Sequence, residues 1–274
     1  MKNLLFILVT ALILSGTTYS QWNAHFTGLN NGDAGIADSK GVDVKVDHSG
    51  DCYVTGYNYN TASGNDILLI KYNAAGDTVW TRTFDGTAHS DDQGITSAVD
   101  ASGNVYVTGY VTQLNTGIDI IVLKYNPDGV LLWNNTYPGC NDNTEDRGLG
   151  IAVDNLGDCF ITGFSTDSLG LRSATTLKYG PDGTLLWNRI ENGNQELDGK
   201  GLGIAVDNAG NSYISGYLKL PLTGNDIFVL KYDPNGTTLW MQTYDGGANM
   251  DDQATCLALD ASGTLPGRSC AVRA

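Results

Sequence analysis

Carboxylates recur along this chain at nearly constant intervals, and carboxylates are the side chains that bind Ca²⁺ or cleave glycosidic bonds. In each copy they stand shortly before a similar apolar segment. A Ca²⁺ site would draw on Asp91, Asp92, Asp146, Asp198, Asp251 and Asp252. The alternative is that the recurring Asp accepts hydrogen bonds from backbone N–H groups of a turn while its neighbours are solvated.

Other chemistry has little support in the sequence. The three histidines, His25, His48 and His89, belong to neither a G-x-S-x-G nor an H-E-x-x-H motif. The Gly-Leu-Gly sequences at 148–150 and 201–203 lack the third glycine of a nucleotide-binding loop. A catalytic site in a repeat would need residues unique to one copy, and we identify no such set. We therefore expect no catalysis, although a carboxylate pair for glycoside cleavage stays open.

Composition limits the partners. The formal net charge is −15, which repels nucleic acid and anionic membranes but leaves cations, basic proteins and glycans open. The five cysteines include no C-x-x-C pair, so neither a zinc site nor a disulfide framework is indicated. Cys52 and Cys159 stand at the position that Val105 and Ser212 occupy in the other copies, and we expect them to be small core residues. We predict no cofactor, with Ca²⁺ as the one candidate ion.

The first twenty residues have the pattern of a secretory signal. Lys2 precedes an apolar run over 4–14, and small and polar residues end at Ser20. The run is too short to span a bilayer of about 30 Å, and no later segment is apolar enough to do so. We predict cleavage after Ser20 and a secreted or cell-surface protein without membrane insertion.

The sequence "DASGNVYVTGY" at 100–110 is one of four variants of a single phrase. The others begin at Asp47, Asp154 and Asp207, and a fifth begins at Asp260 and breaks off after four residues. Successive starts lie 53, 54, 53 and 53 residues apart, which indicates a repeat architecture. The Asp and Gly of the phrase suit a hairpin turn, and the D-x-D-x-D-G spacing of a calcium loop is absent.

Each period holds four predicted strands, of which the third, such as "DIFVLKY" at 226–232, is apolar on both faces. Such a strand must be covered on both sides, which a small sheet achieves by stacking between copies of itself. This predicts an all-β fold, a β-propeller of four-stranded antiparallel blades, with a solenoid as the alternative. The predicted units are 41–93, 94–147, 148–200 and 201–253, with partial units at 21–40 and 254–263.

The segments "DIFVLKYDPNGTTLW", "TYDGG", "GIAVD" and "GNSYISGY" resemble the SBBP-type β-propeller repeat of exported bacterial proteins. The resemblance extends from about residue 22 to 263. It implies a secreted or surface protein whose propeller is a binding or spacer module, and it implies no catalytic residues. The third copy departs from the pattern: Ser173 replaces the Asp before the third strand, and Glu191 replaces an aromatic residue.

The two ends of the repeat region are irregular. The sequence "WNAHF" at 22–26 matches a fourth strand that would complete a final blade. After Gly263 the expected second strand is replaced by "TLPGRSCAVRA", with Pro266 where a strand is due. We interpret 264–274 as an aberrant tail from truncation or frame disruption.

We expect ligand binding at the end of the blades that carries the variable loops between second and third strands, because variable loops on a rigid scaffold commonly carry function. The acidic connections between blades share this end. Aromatic candidates for ligand contact are Tyr57, Tyr59, Tyr110, Phe164 and Tyr217. The lysines of the four "KY" pairs could contact an anion, or could be structural.

The function predicted from the sequence is therefore a secreted or cell-surface propeller module that binds an unidentified protein or glycan, or acts as a spacer. The alternatives are a propeller-type polysaccharide hydrolase or lyase, and a purely structural fragment.

Overall fold

The computed structural model describes residues 39–139, 144–191, 198–220, 222–246, 250–260 and 263, together with the strand Val272–Arg273. The predicted signal peptide at 1–20, the predicted strand at 22–26 and nearly all of the tail at 264–274 lie outside these residues. No helix of the described part is long and apolar enough to cross a membrane.

Four antiparallel sheets, each built from four consecutive strands, form the fold. Blade 1 contains β1 (Ser39–Val46), β2 (Cys52–Asn60), β3 (Gly64–Tyr72) and β4 (Thr78–Phe84). Blade 2 contains β5 (Gln93–Val99), β6 (Val105–Gln113), β7 (Gly117–Tyr125) and β8 (Leu131–Tyr137). Blade 3 contains β10 (Arg147–Val153), β11 (Cys159–Thr166), β12 (Arg172–Tyr179) and β13 (Leu185–Glu191). Blade 4 contains β14 (Gly199–Val206), β15 (Ser212–Leu220), β16 (Gly224–Tyr232) and β17 (Thr238–Tyr244).

The first strands of successive blades lie against one another, β1 on β5, β5 on β10 and β10 on β14, as strands around a propeller axis do. The predicted all-β propeller architecture is confirmed.

Three short strands lie outside the four blades. β9 (Thr144–Glu145) pairs in parallel with β7, and β18 (Gln253–Ala254) pairs with β19 (Val272–Arg273). The expected fifth inner strand over 254–260 is thus only two residues long, and 255–260 is irregular.

The third strands are buried on both faces, as predicted. All residues from Asp66 to Tyr72 and from Asp119 to Tyr125 are buried. Side chains of one sheet meet the next: Tyr53 and Leu69 of blade 1 share a cluster with Val107 and Leu123 of blade 2. Burial of this apolar surface between the sheets stabilises the stack of blades.

The glycine of the repeated "TG" sequence is required by a close backbone approach. Each first strand has a β-bulge opposite this glycine, for example between Gly94 and Thr96 opposite Gly109. A Cβ atom on Gly109 would lie 2.0 Å from the carbonyl oxygen of Gln93. The same approach recurs at Gly56, Gly163 and Gly216.

The Asp that begins each phrase forms the turn of the first hairpin, as predicted. Asp100 Oδ1 accepts hydrogen bonds from the backbone N–H groups of Ser102 and Asn104, both at 2.9 Å. Gly103 completes the turn with a φ of 80°. Asp47, Asp154 and Asp207 accept the corresponding pairs of bonds.

Hydrogen bonds connect each blade to the turn between the third and fourth strands of the next blade. The indole N–H of Trp80 and the ammonium group of Lys71 both donate to the carbonyl oxygen of Pro127, at 3.0 and 3.3 Å. Lys124 and Trp133 bond Pro181 in the same way, and Lys178 and Trp187 bond Pro234. These three "KY" lysines are buried, which supports the structural alternative over anion contact.

Candidate functional site

The loops between second and third strands and the connections between blades lie side by side at one end of the blades. The backbone N–H of Asn65, at the start of β3 directly after the first of these loops, donates to Asp91 Oδ1 at 3.1 Å, and the N–H of Asp92 donates to the Asn65 carbonyl oxygen at 2.6 Å. In blade 4, Asn225 contacts Asp251 and Asp252 in the same way. We call this end the loop face, and the opposite end, with the repeated hairpin turns, the turn end.

The aspartates predicted as metal ligands hold the loop face together. Asp92, Asp146 and Asp252 are buried. Asp92 Oδ1 accepts a hydrogen bond from the N–H of Thr112 at 2.6 Å, and its Oδ2 accepts one from Gly86. Asp146 Oδ1 accepts the N–H of Thr166 at 2.8 Å. Asp92 and Asp146 therefore fix the connections to the ends of the second strands β6 and β11, and the buried aspartates satisfy backbone N–H groups, as the structural alternative expected.

The remaining predicted ligands are more accessible. Asp91 and Asp251 are exposed and accept the backbone N–H groups of Asn65 and Asn225. Asp198 is half-buried and accepts the Tyr217 hydroxyl at 3.3 Å. The structure does not bring the six predicted ligands into one group.

A different set of carboxylates does converge. Oxygens of Asp66, Asp85 and Asp92 lie within 4.8 Å of one another, and only Asp92 was predicted from the sequence. Asp66 accepts hydrogen bonds from the Ser63 hydroxyl at 2.7 Å and the Asn60 amide at 3.2 Å. Asp66 and Asp92 already accept hydrogen bonds within the protein, which accounts for their position without an ion. Ca²⁺ binding therefore remains a prediction.

That prediction can be checked by thermal melts of the mature chain with Ca²⁺ and with chelator. A bound ion at 100 times its dissociation constant adds about 2.7 kcal/mol, or roughly 5 to 10 °C in Tm. For an ion held by Asp66, Asp85 and Asp92, Asp85→Asn should abolish the shift, whereas Asp128→Asn, at an exposed position of the turn end, should not alter it. Identical melts in Ca²⁺ and chelator would contradict Ca²⁺ binding.

Two of the buried carboxyl groups titrate abnormally. Burial raises the pKa of Asp92 and of Asp146 to about 6, and the negative charges of Asp85 and Asp66 near Asp92, and of Asp119 near Asp146, act in the same direction. The unfolded chain has an Asp pKa of about 3.9. The folded protein therefore retains these protons to higher pH, so protonation stabilises it.

We expect the free energy of unfolding contributed by these two groups to fall as pH rises from about 4 to about 7, through the folded pKa, and to be level above that. The loss from about pH 5 to about pH 7 should be about 3 kcal/mol for the two groups together. Asp146→Asn keeps an oxygen for the Thr166 N–H and should remove about half of this loss. Urea unfolding as a function of pH measures it; an unchanged pH dependence in the variant would contradict the assignment.

Most of the predicted aromatic contacts are not accessible. Tyr110, Phe164 and Tyr217 are buried and Tyr57 is half-buried, whereas Tyr59 is 41% exposed. The sequence pattern could not show which of these rings is buried, because successive side chains at the end of a strand alternate between the core and the solvent.

Two sets of loop-face residues were missed by the sequence analysis. Leucines in three of the four loops, Leu114, Leu169 and Leu222, are 70%, 71% and 87% exposed. Arg147, Arg172 and Lys200 also collect around buried aromatic rings, with Arg147 Cζ 4.1 Å from the Tyr110 ring centroid and Lys200 Nζ 4.5 Å from that of Phe164. The sequence signal that could have drawn attention to these cations is the departure of the third copy from the repeat pattern, where Ser173 replaces an Asp.

Comparisons with known proteins agree with the fold. No protein-family model matches the sequence. An uncharacterized WD repeat-containing protein of Acanthamoeba polyphaga mimivirus is 26% identical over 253 residues, covering 74% of this chain. The chain spans 17% of that relative's length.

Solved structures are also similar to this chain. A protein of unknown function from Dyadobacter fermentans superposes with a TM-score of 0.50 at 9% identity, covering 79% of this chain and 70% of the other. A protein of unknown function from Bacteroides caccae gives 0.46 at 15% identity, covering 77% and 70%. A thermostable family-43 glycoside hydrolase gives 0.44 at 12% identity, covering 85% and 83%. At these identities the likeness concerns the fold alone. The four successive four-stranded sheets of the chain itself make it a β-propeller repeat protein.

Proposed function

We propose that this chain is a non-catalytic binding module, secreted or displayed on a cell surface, whose loop face binds a protein or a glycan. The observation that carries the proposal is the contrast between the two ends of the blades. The turn end repeats the same hydrogen-bonded turns, while the loop face presents a different loop in every blade on rigid carboxylate supports.

The exposed leucines support this reading. Single exposed leucines are ordinary on protein surfaces, but Leu114, Leu169 and Leu222 occur in three of the four loops of one face. An apolar side chain at a loop tip contributes nothing to the core of its own blade. Its burial would instead favour association with a partner.

Export and the SBBP-type resemblance belong to the proposal as well. A secreted module would begin near Gln21 after removal of residues 1–20. Mass determination of the mature protein recovered from an exporting bacterial host tests this point, and retention of Met1 would contradict it.

Replacing Leu114, Leu169 and Leu222 together by Ser tests the binding surface. We expect Tm to change little, because all three side chains are solvated, and binding to positive members of an oligosaccharide array and a displayed-peptide library to fall at least ~10-fold. The matched control replaces Leu132, Leu186 and Leu239, which are about half exposed on the fourth strands. Equal loss in both variants would contradict binding at the loop face.

The alternative of a polysaccharide hydrolase or lyase needs a carboxyl group that reaches substrate. Asp92 has the raised pKa of a general acid, but it is fully buried and both of its oxygens accept backbone hydrogen bonds. Activity on polysaccharides that disappears when a single carboxylate is neutralised would favour this alternative over the proposal.

A further inference from the structure

Blade 3 lacks a pair of acidic residues that the other blades share. In blades 1, 2 and 4 the third strand begins near a buried Asp, and the following connection contains another buried Asp. These pairs are Asp66 with Asp92, Asp119 with Asp146, and Asp226 with Asp252. The strand register places Ser173 and Gly199 at the corresponding positions of blade 3. Both carboxylates are thus missing together.

Three cations occupy the same region. Arg172 occurs where blades 1 and 4 have Asn65 and Asn225 and blade 2 has Ile118. Its Cζ lies 5.0 Å from the centroid of the Phe164 ring, the ring that Lys200 Nζ also approaches, to 4.5 Å. Arg147, paired with Phe164 across the strands, is the third cation.

Among the described residues, the three cations outnumber the carboxylates near them, which are Glu145 and Asp198. Glu145 is shared: its Oε1 lies 2.6 Å from Arg147 Nε, and its Oε2 lies 3.5 Å from Arg172 Nη2. Arg172 Nε is buried and has no hydrogen-bond partner among the described residues. Within the described chain, no carboxylate lies within 4.0 Å of Lys200 Nζ.

The electrostatics point the same way. Burial lowers the pKa of Lys200, and the positive charge of Arg172 lowers it further, although Asp198 and Glu145 oppose the change. A local excess of positive charge is unusual in a protein whose net charge is −15. An anion brought to this place would relieve the repulsion between the cations.

We propose that Arg172 and Lys200, with Arg147 beside them, bind the carboxylate of an acidic sugar, a uronic acid, at the loop face. The inference rests on the proposed function and names the ligand class of one part of that face. A guanidinium group matches the planar carboxylate with two parallel hydrogen bonds. The half-buried carboxylate of Asp198, which already accepts the Tyr217 hydroxyl, can accept sugar hydroxyl groups beside it.

The charge of the whole chain selects a ligand of low charge. A polyanion such as a nucleic acid or a heavily sulfated glycan is repelled by a net charge of −15. A single carboxylate on an otherwise neutral sugar is attracted by the three cations. Because it carries only one negative charge, the rest of the chain repels it only weakly. An acidic peptide offers a carboxylate but lacks the sugar's ring of hydroxyl groups.

Calorimetric titration of the mature chain with glucuronic acid, glucose, glutamate and inorganic phosphate tests the assignment. We expect glucuronic acid to bind and glucose to bind at least ~10-fold more weakly, and Arg172→Gln and Lys200→Gln each to weaken glucuronic acid ~10-fold or more. Lys40 holds the Lys200 position in blade 1, so Lys40→Gln is the matched control and should change affinity less than ~2-fold.

Glu145→Gln provides a test in the opposite direction. Because Glu145 competes with the ligand for both arginines, its neutralisation should increase affinity for glucuronic acid several-fold. Bound glucuronic acid should also raise the pKa of Lys200, measured by NMR of its side chain.

Several outcomes would overturn the assignment. These are equal losses in the Lys40 and Lys200 variants, unchanged or weaker affinity in the Glu145 variant, or binding of glutamate or phosphate as tight as that of glucuronic acid. The proposed function fails separately, through the exposed leucines, which are not part of this cation cluster.

Discussion

Gly109→Ala is expected to lower the free energy of unfolding by about 3 kcal/mol or more, or at least about 6 °C in Tm. The new Cβ would lie 2.0 Å from the carbonyl oxygen of Gln93 and 3.0 Å from the backbone nitrogen of Ile95. Both obstacles are main-chain atoms of the paired strand, so no side-chain rotation can relieve the contact. The β-bulge of blade 2 would have to open.

Thermal and urea unfolding measure this loss, and Gly170→Ala is its control. Gly170 has a φ of 81°, and a Cβ there would meet nothing within 4 Å. The free energy of unfolding of the Gly170 variant should therefore fall by only about 1 to 2 kcal/mol, which is the cost of placing an L-residue in the left-handed backbone conformation. A Gly109 variant no less stable than the Gly170 variant would contradict the close approach of the two strands.

Trp80→Ala is expected to cost about 3 to 5 kcal/mol and to weaken the contact between blades 1 and 2. The Trp80 ring is 8% exposed and packs against Tyr53 with ring centroids 5.9 Å apart. Its indole N–H donates to the Pro127 carbonyl oxygen of the next blade at 3.0 Å. The substitution removes apolar contacts within blade 1 and with blade 2, and a hydrogen bond between the blades.

Trp240→Ala is the matched control, because Trp240 packs on Tyr213 at 6.2 Å but its indole N–H has no acceptor within the described chain. We expect this variant to lose roughly half as much stability. Amide hydrogen exchange should show faster opening of β3 and β4 in the Trp80 variant. Equal losses for the two variants would contradict a stabilising contact between Trp80 and blade 2.

The blade architecture could be predicted from the sequence because each blade repeats the same local signals. Turn residues such as Asp100 and Gly103 act on their own neighbours, and the apolar third strands require cover on both faces. Both effects depend on sequence distances of a few residues. They are visible without knowing how the blades are arranged.

The loop face was less accessible to sequence reasoning. The recurrence of Asp92 and Asp146 indicated that the acidic connections share one end of the blades with the variable loops, but their hydrogen bonds to Thr112 and Thr166 span twenty residues. The rings of Tyr110 and Phe164 are approached by Arg147 and Lys200, which come from other strands. Such contacts follow from the packing of blades rather than from local pattern.

The cation cluster shows the same limit in a different form. Arg147, Arg172 and Lys200 are separated by 25 and 28 residues, and each is unremarkable in its own segment. Only the register of β10, β12 and β14 brings them to one place. The loss of Asp at Ser173 was visible in the sequence, but its connection to Gly199 requires the fold.

The most direct test of the account is an exchange of whole segments. One chimera carries the blade 1 loop, residues 60–64, in place of the corresponding loop of every other blade, and a second carries the blade 2 turn, residues 126–130, in every blade. Both are screened with the native chain against the oligosaccharide array and the peptide library. The account predicts that the loop chimera folds but loses the ligands of the native chain, while the turn chimera keeps them. Ligands kept by the loop chimera and lost by the turn chimera, or no ligand for the native chain, would contradict it.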